Sequence, residues 1–251
     1  MDIEKYGTVR KEYTHIAQEE WKIFRTYDRH LSWLTKKAKI LEIWPWNGAF
    51  SCYVQGTFHI PMEHMDLIDL SASIVSSLQA REETKKFNVY LADSIDFLTH
   101  KEDKYYDLII MRHVMEHMPR EYISQLVPLM LSKLRSWWKI LVEVPNFGNF
   151  PFGMYNCFWD FTHVTYFTYE SLIEAFLFNN INDEDIEARP YNCVHALVFW
   201  RWILNDIRTI VMRFGSYLSR IITFLLYKMQ GDKYWFWRVY TPAILLIVEK
   251  R

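Results

Sequence analysis

A chain of 251 residues with a formal net charge of −1 can bury a substantial core in one α/β domain and offers no basic footprint for nucleic acid. Its three cysteines, Cys52, Cys157 and Cys193, are spaced neither as a metal pair nor as a disulfide framework, which fits a reducing compartment. The opening Met1-Asp-Ile-Glu-Lys-Tyr6 lacks the basic-then-apolar layout of a signal peptide, and no run of about 18 residues is both apolar and uncharged, so a cytoplasmic chain without a transmembrane helix is expected.

Residues 1–36 read as a polar-amphipathic, helical N-terminal cap, with Ile16, Trp21, Phe24 and Leu31 set among many charges. A βαβ rhythm begins at residue 39. The segment Lys39-Ile-Leu-Glu-Ile-Trp-Pro-Trp-Asn-Gly-Ala-Phe50 opens as a buried strand, Ile40–Ile43, that carries one carboxylate, Glu42. It then turns through Pro45, Asn47 and Gly48 into a helix over Ala49–Gln55. Further strands are predicted at Met65–Leu70, Val89–Ala92, Tyr106–Met111 and Lys139–Val144, with helices over Ser71–Lys85, Ser94–Leu98 and Glu121–Arg135 between them. Strands alternating with helices at this spacing predict a doubly wound, mostly parallel sheet whose ligand sits at the C-terminal strand ends. A sixth strand is read at Ile186–Tyr191, after the acidic loop Asp183-Glu-Asp185, and a last one within Thr241–Glu249. Between those two, 194–238 is rich in Leu, Ile, Phe and Trp and carries Arg201, Arg208, Arg213, Arg220 and Lys228. It reads either as an amphipathic element resting on anionic lipid or gripping a lipid-linked substrate, or as core helices with snorkelling arginines.

The predicted strand ends carry polar groups. Asp69 lies 21 residues beyond Gly48, about the distance at which a carboxylate past a glycine turn accepts the ribose hydroxyls of an adenosine-type ligand. Asp93 follows the third strand, and the fourth runs Asp107-Leu-Ile-Ile-Met-Arg-His113-Val-Met-Glu116-His117. The fifth is Ser136-Trp-Trp-Lys-Ile-Leu-Val-Glu-Val-Pro-Asn146, and beyond it comes Trp159-Asp-Phe-Thr-His163-Val-Thr-Tyr-Phe-Thr168.

Over residues 39–178 these stretches together resemble the class I S-adenosylmethionine (SAM) methyltransferases. Glu42 and Gly48 fit that family's Glu/Asp-x-Gly-x-Gly-x-Gly motif. The His113–His117 and Pro145-Asn146 stretches fit its later motifs, and Asp160 to Thr168 is similar to a D-x-T-H-x-x-x-F-T segment of members acting on quinones, sugars and other small acceptors. The resemblance implies a Rossmann-like fold: a seven-stranded doubly wound sheet, mostly parallel, with helices on both faces and an antiparallel last strand. The chain would divide into a cap (1–36), a SAM-binding core (37–193), the insertion (194–238) and the last strand (239–251). SAM is the implied cofactor. Glu42, Trp44, Trp46 and Gly48 would shape its methionine side, Asp69 would take the ribose, Asp93 would lie near the adenine, and His113 would line the wall. The implied reaction moves a methyl group to a hydroxyl or amine of a small acceptor such as a sugar, a glycan precursor or a quinone-like lipid. Membrane contact, if any, would be peripheral, at the inner face, through 194–238.

Four positions depart from the pattern. Trp44, Trp46, Trp137 and Trp138 stand where the family has glycine. The chain has 7 glycines and 11 tryptophans, whereas average usage of about 7% would give roughly 18 glycines. One reading is a pseudoenzyme: a binding protein with its cofactor pocket plugged by indole. The other is recoding, since drift would scatter several residue types over four sites, whereas a UGA codon read as glycine by some bacteria and translated as tryptophan would give Trp at each.

His113, Glu116 and His117 also match H-x-x-E-H, the spacing of an inverted zinc-protease motif, so a metal-dependent hydrolase is a remote alternative. Some methyltransferases, small-RNA 2′-hydroxyl methyltransferases among them, use a similar E-x-x-E-H and a later His to hold a divalent ion. Glu116, His117 and His163 are the corresponding candidates here, although His113 replaces the first Glu. A wall that merely hydrogen-bonds its loops is the competing reading. His163 is the candidate general base, with an ordinary pKa close to neutrality, and Asp160 is placed to orient it; a purely structural His163 is the alternative.

Overall fold

The structure is a computed structural model describing residues 24–148, 158, 160–179, 181, 186–191 and 243–249, the side chains of Trp138 and of 187–191 excepted. Most of the expected cap, the insertion 194–238 and the acidic loop 183–185 lie outside the described residues. Seven strands form one sheet: β1 (Ile40–Ile43), β2 (Met65–Asp69), β3 (Asn88–Leu91), β4 (Tyr106–Arg112), β5 (Leu134–Pro145), β6 (Ile186–Tyr191) and β7 (Ala243–Glu249). Their order is β3-β2-β1-β4-β5-β7-β6. β1 to β5 are mutually parallel, and β7 runs antiparallel to both β5 and β6. The expected Rossmann-like sheet is therefore present. Its last strand lies between β5 and β6, leaving β6 at the edge.

Central strands covered on both faces must be apolar almost without interruption. β4 shows how: Ile109 and Met111 enter one core with Leu98, Leu126, Met130 and Phe176, while Leu108 and Ile110 enter the other with Phe50, Val54 and Leu78. The alternation is the two-residue period of a pleated strand. Helices α1 (Ala49–Phe58) and α2 (Ala72–Ala80) supply the second core, and α3 (Ser94–Thr99), α4 (Arg120–Lys133) and α5 (Tyr169–Leu177) supply the first. Residues 24–36, expected to be helical throughout, hold only the short turns Arg25–Tyr27 and Asp28–Leu31. These lock on through Phe24 and Tyr27, whose rings meet Phe50 at 5.1 and 4.9 Å. Among the described residues no helix is long and apolar enough to cross a membrane.

Most boundaries fall within a few residues of expectation, and three of those that differ do so for identifiable local reasons. Helix α2 starts one residue late because Ser71 caps it, accepting from Ile74 N; it stops at Ala80 because Arg81 turns extended. The Arg81 guanidinium instead donates to Asn47 O at 2.9 Å, fastening this corner to the turn after β1. Strand β5 begins five residues early, at Leu134 rather than Lys139, because it is bulged. Between the pairs Tyr106↔Leu134 and Leu108↔Lys139 a two-residue step on β4 faces a five-residue step on β5. Trp137 sits in that bulge with φ 71° and 66% of its surface exposed.

Candidate active site

The parallel strands β1 to β5 end on one rim, and the turn after β1 is its most unusual part. Trp44, Trp46 and Gly48 have φ of 55°, 55° and 72°, so every second residue of the turn is left-handed. Glycine takes that conformation freely, whereas a residue with a side chain pays roughly 1–2 kcal/mol. At Gly48 an added Cβ would lie 2.9 Å from Thr84 Cγ2 and 3.0 Å from Leu78 Cδ2, so those side chains would have to shift in addition to the backbone cost. Trp44 and Trp46 thus hold backbone geometry that suits glycine, as does Trp137 in β5.

The indole of Trp44 points inward. It is 9% exposed and stacks on His117 with ring centres 6.1 Å apart. Its Nε1 is buried and has no hydrogen-bond partner among the described residues. A buried donor left unbonded costs about 1–3 kcal/mol. The site therefore accommodates the backbone of a glycine turn but accommodates this side chain poorly.

Glu42 lies one strand turn below, 3% exposed, and accepts a hydrogen bond from Ser51 Oγ on α1. Burial pushes its pKa up to about 7 against the opposing pull of Ser51 and Arg112. Asp69 ends β2, is 5% exposed, and accepts from Ser71 N at 2.8 Å. Asp93 caps α3, its Oδ1 accepting from Ile95 N and Asp96 N, while Tyr122 OH donates to its Oδ2 at 2.7 Å. Backbone pairing sets these ends side by side: Trp44 N donates to Ile68 O, and Ala92 N to Asp69 O. Glu42, the Trp44–Gly48 turn, Asp69 and Asp93 thus occupy three neighbouring strand tips.

A second group closes the rim at β4 and β5. Glu143, wholly buried on β5, accepts from Tyr27 OH and from Arg112 Nε, the latter at 2.9 Å. His113, left-handed at φ 54°, places Nε2 3.4 Å from Glu143 Oε1 and Nδ1 3.5 Å from Glu116 Oε1. Burial alone would lower the His113 pKa, but the Glu143 and Glu116 carboxylates hold it at about 10, so the ring is an imidazolium at neutrality. Burial likewise opposes ionisation of Glu143, yet His113 and Arg112 keep it far below the usual carboxylate range. Tyr27, Arg112 and Glu143 were not singled out from sequence. The available signal was an acid inside the apolar run Ile140-Leu-Val-Glu-Val144, since a buried charge requires a partner.

A third group joins the β4 exit to the segment after β5. Met115–His117 is a single 3-10 turn, so H-x-x-E-H straddles a strand end and a turn and is not carried on the long helix a zinc protease needs. Val164 N and Thr165 N both donate to Glu116 O, docking the Asp160–Thr165 loop here. His163 meets the His117 ring edge-on at 4.7 Å between centres. Thr162 Oγ1 lies 2.9 Å from His117 Nδ1 and donates to Asp160 Oδ1 at 2.6 Å. Burial, aided by His163, lowers the His117 pKa.

No protein-family model matches the sequence, and neither does any curated protein. Solved structures with the same fold do exist. One is a SAM-dependent methyltransferase from Archaeoglobus fulgidus, 19% identical over 91% of this chain and 93% of that one, with a TM-score of 0.63. Another is phosphoethanolamine N-methyltransferase 2 of Haemonchus contortus bound to SAM, 13% identical over 92% of this chain and 53% of that one, TM-score 0.59. The same enzyme with phosphomonomethylethanolamine and S-adenosylhomocysteine gives 14% identity, the same coverage and TM-score 0.59. The fold is thus that of class I SAM-dependent methyltransferases.

Proposed function

We propose that this protein is a SAM-dependent methyltransferase whose working form carries glycine at positions 44, 46, 137 and 138. The observation that carries the reading is the turn after β1, left-handed at residues 44, 46 and 48 immediately beyond the buried Glu42. Backbone of this shape exposes N–H groups and lets a ligand approach closely, but only if side chains are absent. With Trp44 as written the residues do not fit SAM, because the indole fills the space between the first and fourth strand ends. With glycine there they do fit: Glu42 and the turn toward the methionine end, Asp69 toward the ribose, Asp93 beside the adenine, His113 along the wall. The cofactor supplies an electrophilic methyl group, and the chain's part is to align an acceptor and accept its proton. His163 on the rim is our choice of base. The acceptor is a small hydroxyl- or amine-bearing molecule, and the apolar, basic 194–238 favours one that is lipid-linked and met at the membrane's inner face.

A different reading, a binding protein with a permanently plugged pocket, is favoured by the depth at which Trp44 is buried. Two measurements separate them. The coding DNA should show TGA at all four tryptophan positions; TGG there overturns recoding. In calorimetry the chain as written should bind SAM at least 100-fold more weakly than the variant with glycine at all four positions. Equal affinities would overturn the claim that the tryptophans exclude SAM, and no binding in either would overturn the methyltransferase reading.

A further inference from the structure

One carboxylate on the rim has no ordinary explanation. Glu116 is 2% exposed, and neither of its carboxylate oxygens has a hydrogen-bond partner among the described residues. His113 Nδ1 faces Oε1 at 3.5 Å, but that imidazole is shared with Glu143. An ionised carboxylate held out of water without hydrogen bonds needs a compensating positive charge close by.

Two imidazoles stand beside it. One ligand atom each from Glu116, His117 and His163 lie within 4.8 Å of one another. Ligands about 2.0–2.2 Å from a tetrahedral ion are separated by roughly 3.4 Å, so the trio needs to close by little more than an ångström. The neighbours of His117 also prepare it as a ligand. Thr162 gives its single hydroxyl proton to Asp160, so toward His117 Nδ1 its oxygen acts as acceptor. That arrangement favours the proton on Nδ1 of His117. A carboxylate acting through an intermediary to orient a histidine is a usual outer shell of metal-bound imidazole.

We propose that Glu116, His117 and His163 bind a divalent transition-metal ion of the zinc, manganese or cobalt type, with Thr162 and Asp160 as positioning residues. Two nitrogens and one oxygen suit these ions better than magnesium or calcium, which prefer all-oxygen shells. Three protein ligands leave coordination positions open for an oxygen of water or of a hydroxylated acceptor, whose acidity the ion would raise. The proposal stands apart from SAM binding, because none of the three ligands is assigned to the cofactor; it replaces the role of base given to His163 above, since a nitrogen that ligates an ion has no lone pair left for a proton.

The test uses the full, untagged chain, stripped with a chelator and titrated with Zn²⁺ by calorimetry and with Co²⁺ by visible absorption, SAM being absent. We expect saturation at a single ion per chain, with Co²⁺ d–d bands of a low-coordinate site. His163→Ala should abolish saturable binding, and Thr162→Val should weaken it by about 10–100-fold while far-UV circular dichroism stays unchanged. Asp160→Asn should follow Thr162→Val in direction. Absence of saturable binding to the parent chain, or unchanged binding in His163→Ala and Thr162→Val, would overturn the proposal. These outcomes do not depend on whether SAM binds the glycine form.

Discussion

The two halves of the rim are built to different standards. Around β4 and β5 most charges meet a partner: Tyr27 and Arg112 bond Glu143, and His113 faces both Glu143 and Glu116, of which only Glu116 is left without a hydrogen bond among the described residues. Around β1 the backbone is well formed but two of its residues are wrong for it, with left-handed indoles at 44 and 46 and an unbonded buried Nε1. That backbone suits glycine, and the misfit there lies in the side chains at 44 and 46, not in the course of the chain.

The largest effect should come from breaking the well-built half. Glu143→Ala leaves Arg112 and His113 without their common counter-charge, and breaking a buried pair costs about 3–5 kcal/mol. Urea unfolding should show a loss of that size, whereas a loss below about 1 kcal/mol would mean that water already solvates the cluster.

Next in size is the pH response of Glu42. Its folded pKa of about 7 lies above the ordinary 4.5, so between these values the native chain keeps a proton that the unfolded chain has released. Stability therefore falls as pH rises from about 4.5 to about 7 and is level above. The size is on the order of 3 kcal/mol. Glu42→Gln should remove this component, so the wild-type-minus-variant difference in unfolding free energy should fall across that window. A flat difference would show that Glu42 titrates normally.

The smallest effect lies away from both halves, at the start of β5. Trp137 is exposed and left-handed, so Trp137→Gly should raise stability by about 1 kcal/mol. Trp137→Ala, which keeps a Cβ, should not. Equal gains for both would point to the exposed indole and away from the backbone.

Much of the architecture was legible because its signals are local. Ile40–Ile43 was bounded as found because a short, mostly apolar run closed by the turn at Pro45–Gly48 leaves little choice, and Ile186–Tyr191 was also bounded as found. Asp93 sits two residues before Ile95, and its capping bonds are of short range. What escaped detection is what pairs at a distance. Arg112 meets Tyr27 across 85 residues and Glu143 across 31, and nothing in either flanking stretch names the partner. The β5 bulge was hidden for a different reason: with Trp at 137 and 138, the run from Leu134 lacked the glycine that ordinarily announces a break in pairing.

The bond from Tyr27 to Glu143 spans 116 residues, and this bears on how the chain is made. A ribosome adding about 5–20 residues per second delivers the phenol on the order of ten seconds before its acid. Phe50, which the Phe24 and Tyr27 rings meet, arrives early in that interval, but the phenol waits for its acid and β1 for β4 on its second side. The link from the first turns to the sheet is therefore completed only when the fifth strand emerges.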